Sequence, residues 1–193
     1  YGVDISQSFI NLFRKKTNNL NYNSNKIIKS DIRNINLGQS FDLIILGFNS
    51  LAHLIKDQDV IDCLHHIKSH MSNHSILAID IFVPKTEFLY NDARVKSHIM
   101  DFMDSEQNLK CQVFESTNYN PDTEINYITW DILNMHGENH LTYNFEMRMF
   151  FPDTLNKLLI DSQYQISNFY GDYQCNEFTE DSEKQILLCR KDV

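Results

Sequence analysis

Residues 41–54 read FDLIILGFNSLAHL, and this stretch decides the fold. From Phe41 to Leu46 the residues are almost all apolar, which is typical of a strand buried on both faces of a parallel sheet. Small and polar residues follow from Gly47 to Ser50, and then an aliphatic segment begins. Ligands of open parallel sheets bind at the carboxyl ends of the strands, so this loop is a candidate site. A plain strand-to-helix connection would have the same pattern.

Strands and helices alternate on both sides of this stretch. The periodicity and turn residues predict strands over residues 1–5, 26–30, 41–46 and 75–82. They predict helices after Ser6, a good N-cap, and over residues 57–71, where apolar residues recur on one face. Alternation of this kind indicates a doubly wound, mostly parallel sheet.

The pattern changes after Pro84. We expect one short helix near residues 94–103, three long antiparallel strands over 110–120, 124–135 and 139–151, a helix from Pro152, and final strands over 164–170 and 185–190. A helix followed by a closing hairpin is a common end to an α/β sheet with an antiparallel edge. The chain shows no repeat and no low-complexity linker, so we predict a single domain.

Composition excludes several classes of partner. The chain has 193 residues, 17 basic and 26 acidic side chains and a net charge of −9. Without a concentrated basic face it is a poor nucleic-acid binder, and its apolar runs are too short for a membrane span. The four cysteines form no Cys-x-x-Cys pair, which favours reduced thiols in the cytoplasm. A small molecule is the expected partner.

Two aspartates follow predicted strands. Asp4, at the end of the first strand, can accept hydrogen bonds from both hydroxyls of a ribose, or it can cap the following helix. Asp31, after the second strand, can accept from an adenine amino group, or it can be an ordinary turn residue.

The order and spacing of these features resemble the class I S-adenosylmethionine-dependent methyltransferases. In that family an acidic residue ends the second strand, an Asp follows the third, and a Phe-Asp-hydrophobic strand leads into the site. Residues 148–152 (RMFFP) before a Leu-rich helix and residues 170–173 (YGDY) near the end are similar to the C-terminal part of small-molecule members. The resemblance covers nearly the whole chain, and residues 110–151 look like an insertion found in some amino-sugar N-methyltransferases.

The resemblance implies a Rossmann-like three-layer α/β sandwich with an antiparallel insertion. It implies S-adenosylmethionine as cofactor and methyl transfer to nitrogen or oxygen of a small molecule. Residues 1–84 would be the cofactor-binding half, 85–151 the insertion over the site, and 152–193 the C-terminal helix and hairpin. The residues expected at the cofactor are Asp4 on the ribose, Ile5 and Asp31 on the adenine, Ile32 beside the ring, and Gly47 and Phe48 at the methionine moiety.

The substrate pocket is expected to contain Asn49, His53, Arg148 and Tyr170. His53 could take a proton from the substrate as a general base, or it could be a packing residue. Arg148 could clamp an anionic group, or it could pair with a sheet neighbour such as Glu146 or Asp131. The strand aromatics, Tyr143 among them, could line a pocket, although packing is their commoner role.

Three histidines have the spacing of one helix face. His66, His70 and His74 would form either a solvated helix face or part of a zinc site, and we favour the solvated face because no acidic ligand lies nearby in sequence. We therefore predict no metal. The insertion strands could also pair between two subunits, so we expect a homodimer.

The glycine-rich loop after the family's first strand has no counterpart among the five glycines. We therefore expect the functional protein to carry a further strand, loop and helix before Tyr1. Two alternatives remain: a truncated or degenerate relative that binds a partner without catalysis, and another adenosyl-ligand enzyme such as a nucleotide-binding oxidoreductase.

Overall fold

A computed structural model describes residues 1–17, 20, 26–90, 92–104 and 107–192. The strands are β1 (Gly2–Asp4), β2 (Ile27–Lys29), β3 (Phe41–Leu46), β4 (Met71–Phe82), β5 (Ser97–Asp104), β6 (Leu109–Asn120), β7 (Ile125–Asn134), β8 (Asn139–Arg148), β9 (Tyr164–Tyr170) and β10 (Lys184–Lys191). The helices are α1 (Gln7–Thr17), α2 (Asp57–Ser69), α3 (Thr86–Leu89) and α4 (Pro152–Asp161), with 3-10 helices at Ile32–Asn34 and Ser50–His53.

The strands form three hydrogen-bonded sheets. β1 pairs with β2 in parallel, and the second sheet has the order β3-β4-β10-β9, in which β3 and β4 are parallel and β10 runs against both of its neighbours. The third sheet, β5-β6-β7-β8, is antiparallel throughout and is the predicted insertion. The predicted mixed α/β fold with an antiparallel C-terminal edge is confirmed.

The short helix expected near residues 94–103 is wrong, because Ser97–Asp104 is strand β5. Met100 and Phe102 lie opposite Val113 and Cys111 of β6, so pairing with β6 sets the conformation of this segment. A helix would leave the edge of β6 without its hydrogen-bonding partner. Tertiary pairing therefore overrides the weak local preference of this segment.

The main core lies between the β3-β4-β10-β9 sheet and helices α2 and α4. Val60, Leu64 and Ile67 of α2 are buried, because their spacing places them on one helix face. They belong to the same cluster as Leu77 and Ile79 of β4, together with Leu155 and Leu159 of α4 and Leu187 and Cys189 of β10. Each such side chain contributes about 1.5–3 kcal/mol through burial.

The other face of β3 is uncovered, which corrects the expectation of a strand buried on both sides. Ile44 and Leu46 point toward α2, whereas Leu43 and Ile45 are 54% and 64% exposed. No described strand pairs with the outer edge of β3 or with the free edge of β1. A cavity of about 400 Å³, lined from both sides, separates the two strands.

The histidine pattern is divided by the end of α2. The helix ends at Ser69, so His74 lies in β4 and the three histidines do not share a helix face. His70 is buried, its Nε2 accepts the N–H of Leu37 at 2.8 Å, and its Nδ1 lies 2.7 Å from the carbonyl oxygen of His66. His70 is therefore a structural residue that fixes the connection into β3.

The described residues contain neither a metal-binding cluster nor a helix that could span a membrane. No group of three His, Cys, Asp or Glu side chains there could hold a metal ion. No helix in the same ranges is long and apolar enough to span a bilayer.

Candidate active site

A cavity of about 620 Å³ opens at the carboxyl ends of β1 and β2. Four separate segments of the chain contribute to it, namely the two strand ends, the 3-10 helix after β3, and β8 of the insertion. Its lining residues are Val3, Asp4, Ile5, Ser6, Phe9, Ser30, Asp31, Ile32, Arg33, Ser50, His53, Leu54 and Tyr143. The candidate residues Asp4, Ile5, Asp31, Ile32 and His53 are thus together.

Asp4 organises the start of α1 from the wall of the cavity. Its Oδ1 accepts the N–H of Ser6 at 2.7 Å, and Ser6 Oγ in turn accepts the N–H of Phe9 at the start of α1. Oδ2 makes no hydrogen bond within the part of the chain that the structure describes. One carboxylate oxygen therefore organises the helix start, and the other is free to accept from a ligand in the cavity.

The carboxylate of Asp31 is already bound by Arg33. Its carboxylate accepts the backbone N–H of Arg33 at 2.9 Å and a two-pronged contact from the Arg33 guanidinium, with Nη2 to Oδ2 at 2.6 Å. Hydrogen bonding to this side chain and backbone lowers the pKa of Asp31, although partial burial opposes the shift. Arg33 also reaches Asp59 of α2 at 3.2 Å. Asp31 therefore caps the 3-10 helix Ile32–Asn34, and a ligand would have to share a carboxylate that Arg33 already holds.

The loop after β3 lies beside the cavity on the same rim. Phe48 and Asn49 are both left-handed, with φ of 56° and 58°, and Phe48 is 93% exposed. Gly47, Phe48 and Asn49 do not line the cavity, whereas Ser50, which follows them, does. Asp4 and Asp31 therefore share one cavity with Ser50, while Gly47 and Phe48 lie outside its wall.

Asn49, which was expected in the substrate pocket, does not line this cavity and is hydrogen-bonded to β4. Its Oδ1 accepts the N–H of Phe82 at 2.9 Å, and its own N–H donates to the carbonyl oxygen of Asp80 at 3.2 Å. The side-chain oxygen therefore ties the loop to the end of β4.

His53 is a titratable side chain in the wall of the cavity. It is exposed, it lies in the 3-10 helix Ser50–His53, and its ring makes no hydrogen bond among the described residues. Its neighbours Leu51, Ala52 and Leu54 are buried in the core and hold the backbone in place. The arrangement leaves both ring nitrogens of His53 available for proton transfer.

Arg148, which was expected in the substrate pocket, does not line the cavity. It is buried and forms ion pairs with Asp57, at the start of α2, and with Glu124 at 3.6 Å. The ion-pair alternative is therefore the right one, but the partners named for it are wrong, since Asp131 pairs with Lys96 at 2.7 Å. Sequence spacing could not reveal these partners, because Asp57 comes from a distant segment.

Tyr170 also lies away from the cavity. It ends β9, at the opposite edge of the sheet from β3, and pairs there with Ile186. Tyr173 instead reaches the rim, where its hydroxyl donates to Asp80 Oδ2 at 2.9 Å. Sequence reasoning missed Asp80, although a lone carboxylate within the apolar strand residues 76–82 (ILAIDIF) was a usable signal.

Comparison with known proteins gave matches at the level of structure. No family model matches the chain, and no curated protein matches it significantly. The CcbJ methyltransferase from Streptomyces caelestis is similar with a TM-score of 0.84 at 16% identity, over 100% of this chain and 74% of that one. An S-adenosylmethionine-dependent methyltransferase from Clostridium acetobutylicum ATCC 824 is similar with a TM-score of 0.77 at 16% identity, over 99% and 74%.

A third match is the sugar N-methyltransferase KedS8 from Streptoalloteichus sp ATCC 53650, with a TM-score of 0.71 at 12% identity, over 100% of this chain and 70% of that one. The chain therefore has the Rossmann-like fold of S-adenosylmethionine-dependent methyltransferases along its whole length. Identities this low establish the fold and leave the chemistry to be argued from the site.

Proposed function

We propose that this chain binds S-adenosylmethionine in the cavity at Asp4 and transfers its methyl group to nitrogen or oxygen of a small molecule. The observation that carries the proposal is that Asp4, Asp31, Ser50 and His53 line one cavity at the carboxyl ends of neighbouring strands. The shared fold supports the cofactor assignment.

The residues of the cavity fit an adenosyl group. Asp4 Oδ2 is unpaired within the described ranges and can accept from the ribose hydroxyls, while Ile5 and Ile32 offer apolar walls for the adenine. Gly47 and Phe48, on the adjoining loop, are proposed to flank the methionine part. The bound cofactor supplies an activated methyl group, so the protein's task is alignment of the acceptor and exclusion of water.

The acceptor side is formed by His53 and the insertion. Tyr143 of β8 lines the cavity and lies opposite Trp130 of β7, whose indole N–H donates to Glu115 at 2.7 Å. Trp130 also packs edge-to-face on Phe145, with ring centroids 5.1 Å apart. We assign this aromatic wall to the acceptor and His53 to its deprotonation. Arg148 and Tyr170, which lie elsewhere, have no part in it.

The proposal includes a further strand between β1 and β3. Both strands leave one edge unpaired among the described residues, and the cavity between them is lined by apolar side chains such as Val3, Leu43 and Ile45. A parallel strand placed there would join the two sheets into one. We propose that it precedes Tyr1 and carries the glycine-rich loop that contacts the cofactor.

Two finer features belong to the same proposal. β5 is an edge strand with exposed Met100 and Met103, and it supports a homodimer formed through the insertion sheet.

The cysteines at 63, 111, 175 and 189 are all free thiols, which supports the reducing cytoplasm as the compartment.

Calorimetry with S-adenosylhomocysteine on the complete gene product tests the function. We expect the wild type to bind and Asp4→Asn to bind about tenfold more weakly, because the variant replaces a charged acceptor with a neutral one. Asp161→Asn, an exposed carboxyl at the end of α4, is the matched control and should bind like the wild type.

Absence of binding by the wild type would contradict the proposal. That result would favour the alternative of a methyltransferase fold with a binding role and no catalysis. The ion pair between Asp31 and Arg33 supports this alternative, because Arg33 already holds the carboxylate that a ligand would need.

A further inference from the structure

The loop after β3 is held in a conformation that Phe48 does not favour. Phe48 and Asn49 both have positive φ, which asparagine tolerates but which costs on the order of 1–2 kcal/mol at Phe48. Phe48 also places an aromatic ring almost completely in solvent. Such a loop persists only where neighbouring groups hold it.

Asp80 of β4 is hydrogen-bonded to both left-handed residues of this loop. Its Oδ2 accepts the N–H of Phe48 at 3.3 Å, and its backbone carbonyl accepts the N–H of Asn49 at 3.2 Å. Both left-handed residues thus donate to one aspartate. Asp80 is mostly shielded, with 16% of its side chain exposed, in a strand whose other residues are largely apolar.

Two further side chains fix the Asp80 carboxylate. Tyr173 donates its hydroxyl to Oδ2 at 2.9 Å, and Lys184 places its ammonium 3.3 Å from Oδ1 and 4.8 Å from the centre of the Tyr173 ring. Burial opposes the charge on Lys184, but hydrogen bonding to Tyr173 and the charge of Asp80 prevail and raise its pKa. The three residues come from β4, the segment after β9, and β10.

We infer that Asp80 is a positioning residue, which Tyr173 and Lys184 orient so that it fixes the left-handed Phe48–Asn49 turn and presents Phe48 at the ligand-binding rim. This inference rests on the proposed function, since the rim is the place assigned to the methionine part of the cofactor. Neither the fold nor the cavity requires a carboxylate at this position in β4.

Amide hydrogen exchange tests the positioning step without any ligand. In the complete gene product, Asp80→Asn should raise the exchange rate at Phe48 by about tenfold, because the amide of Phe48 loses a charged acceptor. Tyr173→Phe should produce a smaller rise, and the control Asp161→Asn none. Unchanged exchange at Phe48 in Asp80→Asn would overturn the inference, whether or not the wild type binds S-adenosylhomocysteine.

A double-mutant cycle tests the consequence for binding. Glycine adopts positive φ freely, so in a Phe48→Gly background the turn needs less support and Asp80→Asn should weaken S-adenosylhomocysteine binding less than in the wild type. We expect a loss of about fivefold or more in the wild-type background and less than twofold in the glycine background. Equal losses in both backgrounds would show that Asp80 acts in some other way. Failure of the wild type to bind would count against the proposed function, while the exchange data would still decide the positioning step.

Discussion

At the scale of single residues, the Asp31–Arg33 pair makes a prediction about acid stability. Hydrogen bonds from Arg33 hold the pKa of Asp31 below its ordinary value, so the pair stabilises the folded state above the unfolded pKa of this carboxyl. That contribution is lost as the pH falls through the lower, folded value. Both side chains are partly exposed, so the effect is modest.

Arg33→Met should remove this contribution. Carboxyl NMR should then show Asp31 titrating near its ordinary value, and urea unfolding should show that the wild type's advantage over the variant disappears at pH values below the folded pKa. If the pKa of Asp31 stays below its ordinary value in the variant, the backbone N–H of residue 33 is sufficient to lower it. A stability difference that persists unchanged in strong acid would mean that Arg33 acts through its packing, because both of its carboxylate partners are protonated there.

Sequence reasoning succeeded for residues whose place follows from a strand end. Asp4 and Asp31 each follow a strand, and parallel strands end at one rim, so their approach could be predicted. It failed where a partner comes from a distant segment, as for Arg148 with Asp57 or Asn49 with Phe82. The periodicity of the sequence does not indicate which distant residues form such pairs.

At the scale of elements, the segment after β9 is tightly packed at Gly171. A Cβ added there would lie 2.1 Å from Ser182 Oγ and 2.8 Å from Ser182 Cβ, closer than side chains can approach. The N–H of Gly171 also bonds to the carbonyl of Asn176 at 2.9 Å, which closes the turn that carries Tyr173. Glycine is therefore required here by space and not by backbone conformation.

Gly171→Ala should lower the free energy of unfolding by about 1–3 kcal/mol through overpacking. Adding Ser182→Gly removes both clashing atoms, so the double variant should be more stable than the sum of the two single changes predicts. Chemical denaturation of the four proteins measures this coupling. Additive effects would mean that the turn relaxes by moving its backbone and that the Gly171–Ser182 contact is not the cause.

The elements themselves were predictable to different degrees. α2 and α4 were found because their apolar faces match the sheet they cover, and β6 to β8 because turn residues separate them. β5 was mistaken for a helix, since its exposed sequence has no strong period and its structure depends on pairing with β6. Edge strands of this kind owe their conformation to a neighbour more than to their own residues.

At the scale of the whole molecule, the sheet is interrupted between β1 and β3. The apolar run that predicted burial on both faces is covered on one face only, where Leu46 is buried and Ile44 is partly buried, whereas Leu43 and Ile45 are exposed. The apolar sequence of β3 predicts burial on both faces, whereas the described residues cover only one. The sequence and the structure agree only if a further segment covers the second face. The proposed preceding strand, with its helix, satisfies both.

Substitutions at Ile45 and Ile160 distinguish a β3 whose second face is covered from a β3 whose second face is exposed. Both are 64% exposed in the described residues, so equal substitutions should have equal and small effects if nothing else covers either. If a further segment covers β3, Ile45→Lys in the complete gene product should cost more than about 2 kcal/mol, because it buries a charge, whereas Ile160→Lys should stay within about 0.5 kcal/mol. Urea denaturation of both variants gives the comparison. An Ile45→Lys protein as stable as Ile160→Lys would leave β3 an open edge, and the cofactor would then have to bind without a glycine-rich loop at this position.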